Sequence, residues 1–509
     1  MTGEASERAC RVHSISSRFF LKPFLNLLLF VLLLSLAPRA AAQAPVVVGG
    51  GAFTPIAPLP FARSDHTATA MPDGLIYLLG GCDGAQNCAN VSGTPEASLF
   101  CFCSSFTASV TIYDPARDAY AVSTPAAPLP PMPEPRYRHL ACALRDVIFV
   151  FGGRDLATDA IITQVDAFNV TARAWLPSAQ LAAYPADLGS DNSCSSLADG
   201  ASIVVLGGYT GNYAVSLATI YVFRPFAGGD LSAGGAGVWS RRAAQLATGR
   251  GDFSSVELGG LVHVYGGYSV AQGFCAPLGS HEVYDPAADA VAPGAPLPHA
   301  LAEKDDGVAL GGAIFSIGGE TKSVATGCGD ADIVALTAVY ALVPAAGAAA
   351  AATNWTTAAA LPSPRMRFAS AVVGNVIFTF GGQGPLVDGG SATPFLPILY
   401  SALSFSLGAP PSATAAGGGG GAAASFGPGS IVGAVLGTAA AMLLVQAGLS
   451  RWRVRTAGGR GLVHGDGFGP GGGGGGFVAK SPSGGVAGGV GSGGGIVVRS
   501  PSSGRLPLP

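Results

Sequence analysis

An apolar segment that ends in Gly-Gly recurs six times between residues 43 and 408, and this repeat constrains the fold more than any other feature. The copies are LIYLLGG at 75–81, VIFVFGG at 147–153, IVVLGG at 203–208, VHVYGG at 262–267, IFSIGG at 314–319 and VIFTFGG at 376–382. Successive Gly-Gly pairs lie 52 to 72 residues apart, a period that indicates an array of similar supersecondary units. Such a chain buries its apolar surface by packing one unit against the next.

Further features recur in phase with the Gly-Gly pairs. A predicted third strand ends in an aromatic residue, and a bulky residue follows seven places later, as in Tyr113 with Tyr120, Phe168 with Trp175 and Tyr284 with Val291. A Pro-rich turn then leads into the next copy, as in APLP at 127–130. Together these features resemble the kelch-repeat family over residues 43–408. The resemblance implies an all-β fold, a six-bladed kelch β-propeller with four short strands in each blade.

The two ends of the repeat region predict how the propeller closes. The sixth copy offers three strands before residue 409 but no fourth. The segment GAFTPIAPLP at 51–60 resembles the fourth-strand region AYAVSTPAAPLP at 119–130. We therefore expect residues near Val46 to Thr54 to complete blade six as its outer strand, which ties both ends of the domain together.

The N-terminus has the pattern of a secretory signal peptide, assigned to residues 1–42. Basic residues precede an apolar run at 24–37, and a small-residue stretch ends at Ala42. A basic flank, a short apolar core and a small-residue cleavage site are typical of a cleaved signal. The alternative is an uncleaved anchor, although the apolar run is shorter than the ~20 residues that span a bilayer.

A second apolar run at 431–449 contains no charged residue and is followed at once by Arg451. It is long enough to cross a bilayer as one transmembrane helix. Four arginines follow it between 451 and 460, whereas 389–431 contains no Lys or Arg, so the positive-inside rule places the C-terminus in the cytosol. Residues 409–430 form a Gly/Ala-rich linker and residues 450–509 a disordered Gly-rich cytoplasmic tail, because neither has enough apolar side chains to build a core.

The charge divides between the two sides of this span. Residues 43–450 carry 15 basic and 27 acidic residues, a net charge of −12, whereas residues 451–509 carry seven basic residues and one acidic residue, a net charge of +6. An acidic outer part argues against nucleic acid as a partner. A basic tail suits the anionic cytoplasmic leaflet.

Eight cysteines remain after removal of the signal peptide, and an even number in an oxidising compartment favours disulfides over free thiols. Four of them crowd the insertion after the first Gly-Gly, where a zinc site is the alternative. Two pairs occupy matching positions in consecutive copies, Cys275 with Cys328 and Cys142 with Cys194. The disulfide candidates are Cys82, Cys88, Cys101, Cys103, Cys142, Cys194, Cys275 and Cys328.

Three N-glycosylation sequons begin at Asn90, Asn169 and Asn354, each in a predicted loop or hairpin. His66 and His139 occupy matching places in the first two copies, but no third ligand accompanies them. We therefore expect no metal ion and no cofactor, and we interpret both histidines as polar residues on the propeller rim.

Arginines recur before the inner strands. Sixteen or seventeen residues before the first Gly of a Gly-Gly pair lie Arg63, Arg136, Arg250 and Arg365, and two residues further lie Arg138 and Arg367. Resemblance to kelch ligand-binding adaptors implies that such arginines line a pocket at one mouth of the central tunnel. Carboxylates of an acidic glycan or peptide would then be natural partners. The alternative is structural, with each Arg bound to carbonyls or to an Asp of a neighbouring blade.

The sequence thus predicts a single-pass type I membrane glycoprotein of the plasma membrane or secretory pathway, whose external kelch propeller binds a protein or glycan ligand. A homodimer through a Gly433, Gly437 and Ala441 face of the membrane helix is a further expectation. The alternative function is that of a membrane-tethered carbohydrate-active kelch enzyme, similar to a sugar mutarotase or to galactose oxidase. A propeller scaffold supports either function, and we favour the binding module.

Overall fold

Six four-stranded antiparallel sheets form a six-bladed β-propeller in the computed structural model. The structure describes residues 51–407 except 85, 92–97, 122–128, 156, 228–230, 232–234, 273–274, 303–306, 324–331, 345–353 and 388–393. The predicted signal peptide, linker, transmembrane span and tail lie outside the described residues. Within this described part, no helix is long and apolar enough to cross a membrane. Its helices include 3₁₀ turns at Ser178–Gln180 and Val270–Gln272.

Each blade is given from its innermost to its outermost strand. Blade 1 contains β2 (Thr67–Ala70), β3 (Ile76–Leu79), β6 (Val110–Asp114) and β7 (Ala119–Ala121); blade 2 contains β8 (Tyr137–Leu144), β9 (Val147–Arg154), β10 (Asp166–Asn169) and β11 (Ala174–Trp175). Blade 3 contains β12 (Ser193–Ser196), β13 (Ile203–Leu206), β14 (Ile220–Arg224) and β15 (Val238–Arg241); blade 4 contains β16 (Ser254–Leu258), β17 (Leu261–Tyr265), β18 (His281–Asp285) and β19 (Ala290–Pro293). Blade 5 contains β20 (Val308–Leu310), β21 (Ala313–Ile317), β24 (Val339–Leu342) and β25 (Thr356–Thr357); blade 6 contains β26 (Ala369–Val373), β27 (Val376–Phe380), β29 (Ala402–Ser406) and β1 (Phe53–Ile56).

The predicted closure of blade six is confirmed. Strand β1 pairs antiparallel with β29, with Phe53 opposite Phe405, and their rings lie 4.9 Å apart. The strand covers 53–56, so it begins later than the predicted Val46 to Thr54 segment. The outer strand of the last blade therefore comes from the N-terminal side of the propeller, and it covers the edge of β29 that would otherwise be unpaired.

The core lies between blades. Every residue of β3, β9, β13 and β21 is buried, because a neighbouring blade covers each face of these second strands. Aromatic side chains fill the spaces, as predicted: Phe151 of blade 2 contacts Phe223 and Trp239 of blade 3 edge to face, at 5.6 and 5.4 Å between ring centroids. Continuous apolar runs before Gly-Gly follow from this two-sided burial.

Loops of blades 1, 5 and 6 build a further small element, which we call the cap. It consists of the sheet of β4 (Gln86–Val91), β5 (Ser98–Cys103) and β28 (Phe395–Leu396), together with the hairpin of β22 (Glu320–Lys322) and β23 (Ile333–Ala335). The two parts share an apolar cluster of Cys88, Cys101, Ile333, Met366 and Leu396.

Three disulfides join described cysteines. Cys82 pairs with Cys103 and Cys88 with Cys101, which staples the cap, and Cys142 pairs with Cys194, which links the inner strands of blades 2 and 3. The four sulfurs of the cap are thus committed to disulfides, and the zinc alternative is wrong. Cys275 is also disulfide-bonded, and its partner lies outside the described residues, as does the predicted partner Cys328.

Candidate functional site

The four arginines that precede the inner strands are structural. Arg63, Arg136, Arg250 and Arg365 are each 0% exposed. Each donates from Nη1 to the carbonyl of the first Gly in its own blade, namely Gly80, Gly152, Gly266 and Gly381, over 2.9 to 3.5 Å. These contacts are those of the structural alternative, and ligand binding by the four side chains stays a prediction.

The same arginines also link consecutive blades through the backbone. The second Gly of a pair donates its N–H to the carbonyl of the Arg in the next blade, as Gly81 does to Arg136 at 3.0 Å and Gly208 to Arg250 at 2.7 Å. A Cβ on Gly207 would lie 2.6 Å from the Arg250 carbonyl oxygen. Gly is thus required at this position by close backbone approach as well as by its φ of +60°.

The second terminal nitrogen, Nη2, of these buried arginines has different partners in different blades. Arg136 forms a buried ion pair with Asp166 and Arg250 with Glu282. Arg365 donates only to neutral groups in the described part, including Ser401 Oγ at 2.9 Å. Burial lowers the pKa of Arg365 to about 10, and this pKa still leaves the guanidinium charged at neutral pH.

Two residues after each of these positions, a different set of side chains surrounds the axis. Five blades place a non-glycine residue there with φ between 52° and 57°, and we call this set the charged ring: Asp65, Arg138, Asp191, Asp252 and Arg367. The blade 5 equivalent, residue 303, lies outside the described residues. Ring members contact one another through the backbone, since Asp65 N donates to Arg367 O at 2.9 Å and Arg138 N to Asp65 O at 3.1 Å.

Positive φ turns the chain between the two sets. Arg136, just before the turn, is buried within its blade, whereas Arg138, two residues later, contacts Asp65 and Asp191 of the neighbouring blades. Left-handed backbone at charged residues is uncommon and costs free energy. Its recurrence in five blades therefore points to a function for the ring. Of the six predicted ligand-binding arginines, only Arg138 and Arg367 belong to it.

Salt bridges and hydrogen bonds connect the ring. Arg138 lies between two carboxylates, with Nη1 at 2.9 Å from Asp191 Oδ1 and Nε at 3.5 Å from Asp65 Oδ1. Arg367 Nη2 lies 3.9 Å from Glu320 Oε2. Burial acts to raise the pKa of Asp191, but Arg138 and Arg154 outweigh it and hold that pKa below its ordinary value. The arginines of the ring are thus charge-compensated by neighbouring carboxylates.

A second layer lies beneath the ring and was missed from the sequence. It is formed by the residue that follows each Gly-Gly, and its members are all buried: Cys82, Arg154, Tyr209, Tyr268, Glu320 and Gln383. Several of these side chains contact the next blade, as Tyr268 does when its hydroxyl donates to Glu320 Oε1 at 2.7 Å, whereas Cys82 is bonded to Cys103 of its own blade's insertion. Polar residue types directly after Gly-Gly were the available signal.

Three second-layer atoms have no hydrogen-bond partner among the described residues. They are Arg154 Nη2, Glu320 Oε2 and Gln383 Oε1, from side chains that are at most 1% exposed. The Arg154 guanidinium carbon lies 4.1 Å from the ring centroid of Tyr213, whose hydroxyl accepts from Arg138 at 3.4 Å. Buried polar atoms without partners are rare in native proteins, so each calls for water or a ligand.

The matched histidines do not lie on the rim. His66 and His139 are 6% and 4% exposed, and His139 Nε2 lies 3.2 Å from Thr67 Oγ1. Burial lowers the pKa of His139 to about 3, so the His139 imidazole is neutral near pH 7. No group of His, Cys, Asp or Glu within the described ranges could hold a metal ion.

The sequons occupy three different environments. Asn354 is exposed, just before β25. Asn169 is half-buried and its amide is occupied, with Nδ2 donating to Asp146 at 3.1 Å and Oδ1 accepting from Ala172 N at 2.7 Å. Asn90 lies in β4 of the cap, in a strand rather than in the predicted loop.

Comparison with known proteins identifies no family for the chain. No family model matches it, and no curated protein matches it. Among solved structures, one titled "Structure of YjhT" matches with a TM-score of 0.47 and 13% sequence identity, over 67% of this chain and 96% of that chain. The class of protein, a six-bladed β-propeller with a charged ring at one mouth, is defined by the strand order and contacts of this chain itself.

Proposed function

We propose that this chain is a kelch-type propeller and that its charged ring binds an uncharged, hydroxyl-rich ligand such as a neutral glycan. The kelch assignment is supported by the repeated Arg and Gly-Gly contact, which joins blades in the same way at Gly81 and Gly208. The binding function is supported by the charged ring at the tunnel mouth.

We choose an uncharged ligand because the arginines of the charged ring are already paired with carboxylates. Arg138 already contacts two carboxylates, and Arg367 lies against Glu320. An anionic ligand would have to compete with these carboxylates, which makes the acidic ligand expected from the sequence a poor fit. Hydroxyl groups both donate and accept, so they can bind beside paired carboxylates and guanidinium groups without displacing them.

A second candidate is a carbohydrate-active enzyme on the same scaffold. It is favoured by the buried pair of Tyr268 and Glu320, in which one carboxylate oxygen accepts the phenol proton and the other has no hydrogen-bond partner in the described part. Such a pair could exchange protons with a sugar hydroxyl. The binding module requires no reaction and remains the main proposal.

The membrane setting is also a proposal. It rests on the apolar runs at 24–37 and 431–449 and on the basic residues that follow the second run. A type I glycoprotein would present the propeller, its disulfides and the exposed Asn354 to an oxidising compartment.

The test is an array of neutral glycans, acidic glycans and proteins probed with the full-length chain in mild detergent. We expect neutral glycans to be captured with little change between 50 and 500 mM salt, because no net charge is transferred. Asp252→Asn should weaken capture at least tenfold, since it alters a ring carboxylate. Asp285→Asn is the matched control in the same blade, because among the described residues the Asp285 side chain accepts only from the hairpin amides of Ala287 and Ala288.

Other outcomes separate the alternatives. Capture of acidic glycans that weakens steeply with salt would overturn the ligand class. Capture of proteins alone would replace the glycan with a protein partner. Conversion of a captured sugar, detected by NMR and abolished by Glu320→Gln, would establish the enzyme instead.

A further inference from the structure

The cap contributes the side chain of Gln86 to the charged ring. Gln86, the first residue of β4, is 1% exposed and lies between two members of the charged ring. Its Nε2 donates to Asp65 Oδ2 at 3.1 Å, and its Oε1 accepts from Arg367 Nη1 at 3.4 Å. One amide therefore satisfies an acid and a base of the ring at the same time.

Gln86 is one of three side chains that donate to Asp65 Oδ2. Besides Gln86, its Oδ2 accepts from Ser64 Oγ at 2.7 Å and from Gln383 Nε2 at 3.1 Å. Asp65 in turn connects the ring through its backbone to Arg367 and Arg138. A displacement of Gln86 would thus disturb three adjacent ring members.

The cap also makes the mouth asymmetric. It is built by blades 1, 5 and 6, and the ring side chains of blades 6 and 1, Arg367 and Asp65, are 4% and 3% exposed. On the other side, the Arg138 side chain is 16% exposed and Tyr213 is partly exposed. The Asp191 side chain of blade 3 is only 1% exposed, so on this side of the described part a ligand reaches the ring at Arg138 rather than at Asp191.

Two disulfides fix the cap around Gln86. Cys82–Cys103 attaches the base of the insertion, and Cys88–Cys101 joins β4 to β5 two residues after Gln86. Because Gln86 lies between Cys82 and Cys88, both bridges restrict where its backbone can go.

We propose that Gln86 is a positioning residue: the disulfide-stapled cap holds its amide between Asp65 and Arg367, and this contact sets the geometry of the ring that the ligand meets. The role of the cap in ligand binding rests on the function proposed above. Its effect on the ring does not depend on any ligand, so it can be measured separately.

The test is hydrogen exchange on the full-length chain, read at the Asp65 and Arg138 backbone amides. Gln86→Ala should speed exchange at both amides about tenfold or more, while the amides of β3 stay protected, because only the ring loses an anchor. Gln272→Ala is the matched control, since Gln272 is exposed.

Gln86→Glu gives a readout that a purely structural role would not move. At pH 7.5 its carboxylate would face Asp65 and repel it, so ring amides should exchange as fast as in Gln86→Ala. Burial and Asp65 raise the pKa of the new carboxyl, whereas Arg367, whose Nη1 lies 3.4 Å from Gln86 Oε1, opposes that rise. We expect the first two effects to exceed the third, so that the carboxyl is ionised at pH 7.5 and protonated at pH 5.0, where its O–H can replace the amide donor. Protection, corrected for the intrinsic pH effect, should then return in Gln86→Glu but not in Gln86→Ala.

Unchanged exchange in Gln86→Ala would overturn the proposal, as would the lack of recovery of Gln86→Glu at pH 5.0. If the array has yielded a neutral glycan, its affinity should fall at least tenfold in Gln86→Ala. If exchange changes and no ligand of any class is found, the proposed function fails while the positioning role of Gln86 stands.

Discussion

Arg250 offers the sharpest test of the structural role assigned to the buried arginines. Its guanidinium is fully buried, forms an ion pair with Glu282 and donates to Gly266 O at 2.9 Å and Ser280 Oγ at 2.9 Å. Arg250→Met keeps much of the volume but leaves the Glu282 carboxylate buried without its cation. Breaking one side of a buried pair costs about 3–5 kcal/mol.

Arg365→Met separates the charge from the hydrogen bonds. Arg365 has the same burial and the same Gly carbonyl contact, but its hydrogen bonds in the described part all go to neutral groups. Its loss should therefore cost about 1–3 kcal/mol, the range for leaving buried neutral acceptors unsatisfied. Arg250→Met combined with Glu282→Gln should regain part of the larger loss, because the amide oxygen can still accept from Ala247 N while the buried charge is gone.

The measurement is the free energy of unfolding from urea titration of the full-length chain, with tryptophan fluorescence as the signal. Arg250→Met should lose the most unfolding free energy. The double variant and Arg365→Met should each lose less, and Arg365→Met should lose no more than the double variant. A loss below about 1 kcal/mol for both single variants would contradict the structural role, and equal losses would contradict the part assigned to Glu282.

Three further predictions follow from the closure, the buried histidines and the exposed sequon. A chain that starts at Pro58 lacks β1, and it should lose most of its unfolding free energy because β29 and the facing blade lose a partner; an unchanged melting temperature would refute the closure. The pKa of His139 is lowered to about 3 in the fold against about 6.5 unfolded, so the unfolded state binds the extra proton as the pH falls. The stabilisation by neutral His139 is fully present above pH 6.5 and is lost as the pH falls towards 3, and the loss amounts to about 2 kcal/mol at pH 5. Urea titrations at pH 7 and pH 5 would measure this loss, and His139→Gln should reduce it. Asn354→Gln should remove one glycan, seen as a mobility shift equal to that from glycosidase treatment, whereas Asn169→Gln should lower stability through loss of the Ala172 contact; the absence of any shift in Asn354→Gln would exclude that site.

The repeat itself specified the architecture. Four of the six Gly-Gly strands are buried along their whole length, and burial of both faces produces an unbroken apolar run that is visible in the sequence. The missing fourth strand of the last copy and the extra strand-like segment at 51–60 likewise predicted closure. Such features are local, since each depends on residues a few positions apart.

The disulfides were predictable in number but only partly in pairing. Matching positions suggested Cys142 with Cys194, and their strands β8 and β12 do lie side by side. The pairing within the cap, Cys82 with Cys103 and Cys88 with Cys101, depends on the register of β4 against β5, which four crowded cysteines leave open.

Which side chains form the charged ring could be seen only in the tertiary structure. Spacing located Arg136 and Arg138 correctly, but it could not say that a positive φ at Arg138 sends one side chain into the blade and the other to the ring. In blade 3, Asp191 lies 16 residues before Gly207, the spacing at which blades 2, 4 and 6 have a buried Arg, but a longer turn between β12 and β13 places Asp191 in the ring instead. Side-chain direction depends on backbone turns and hairpin lengths that contacts between blades select. The sequence by itself therefore determined the number of blades and their closure, and only the packing of the blades decided which charges meet at the axis.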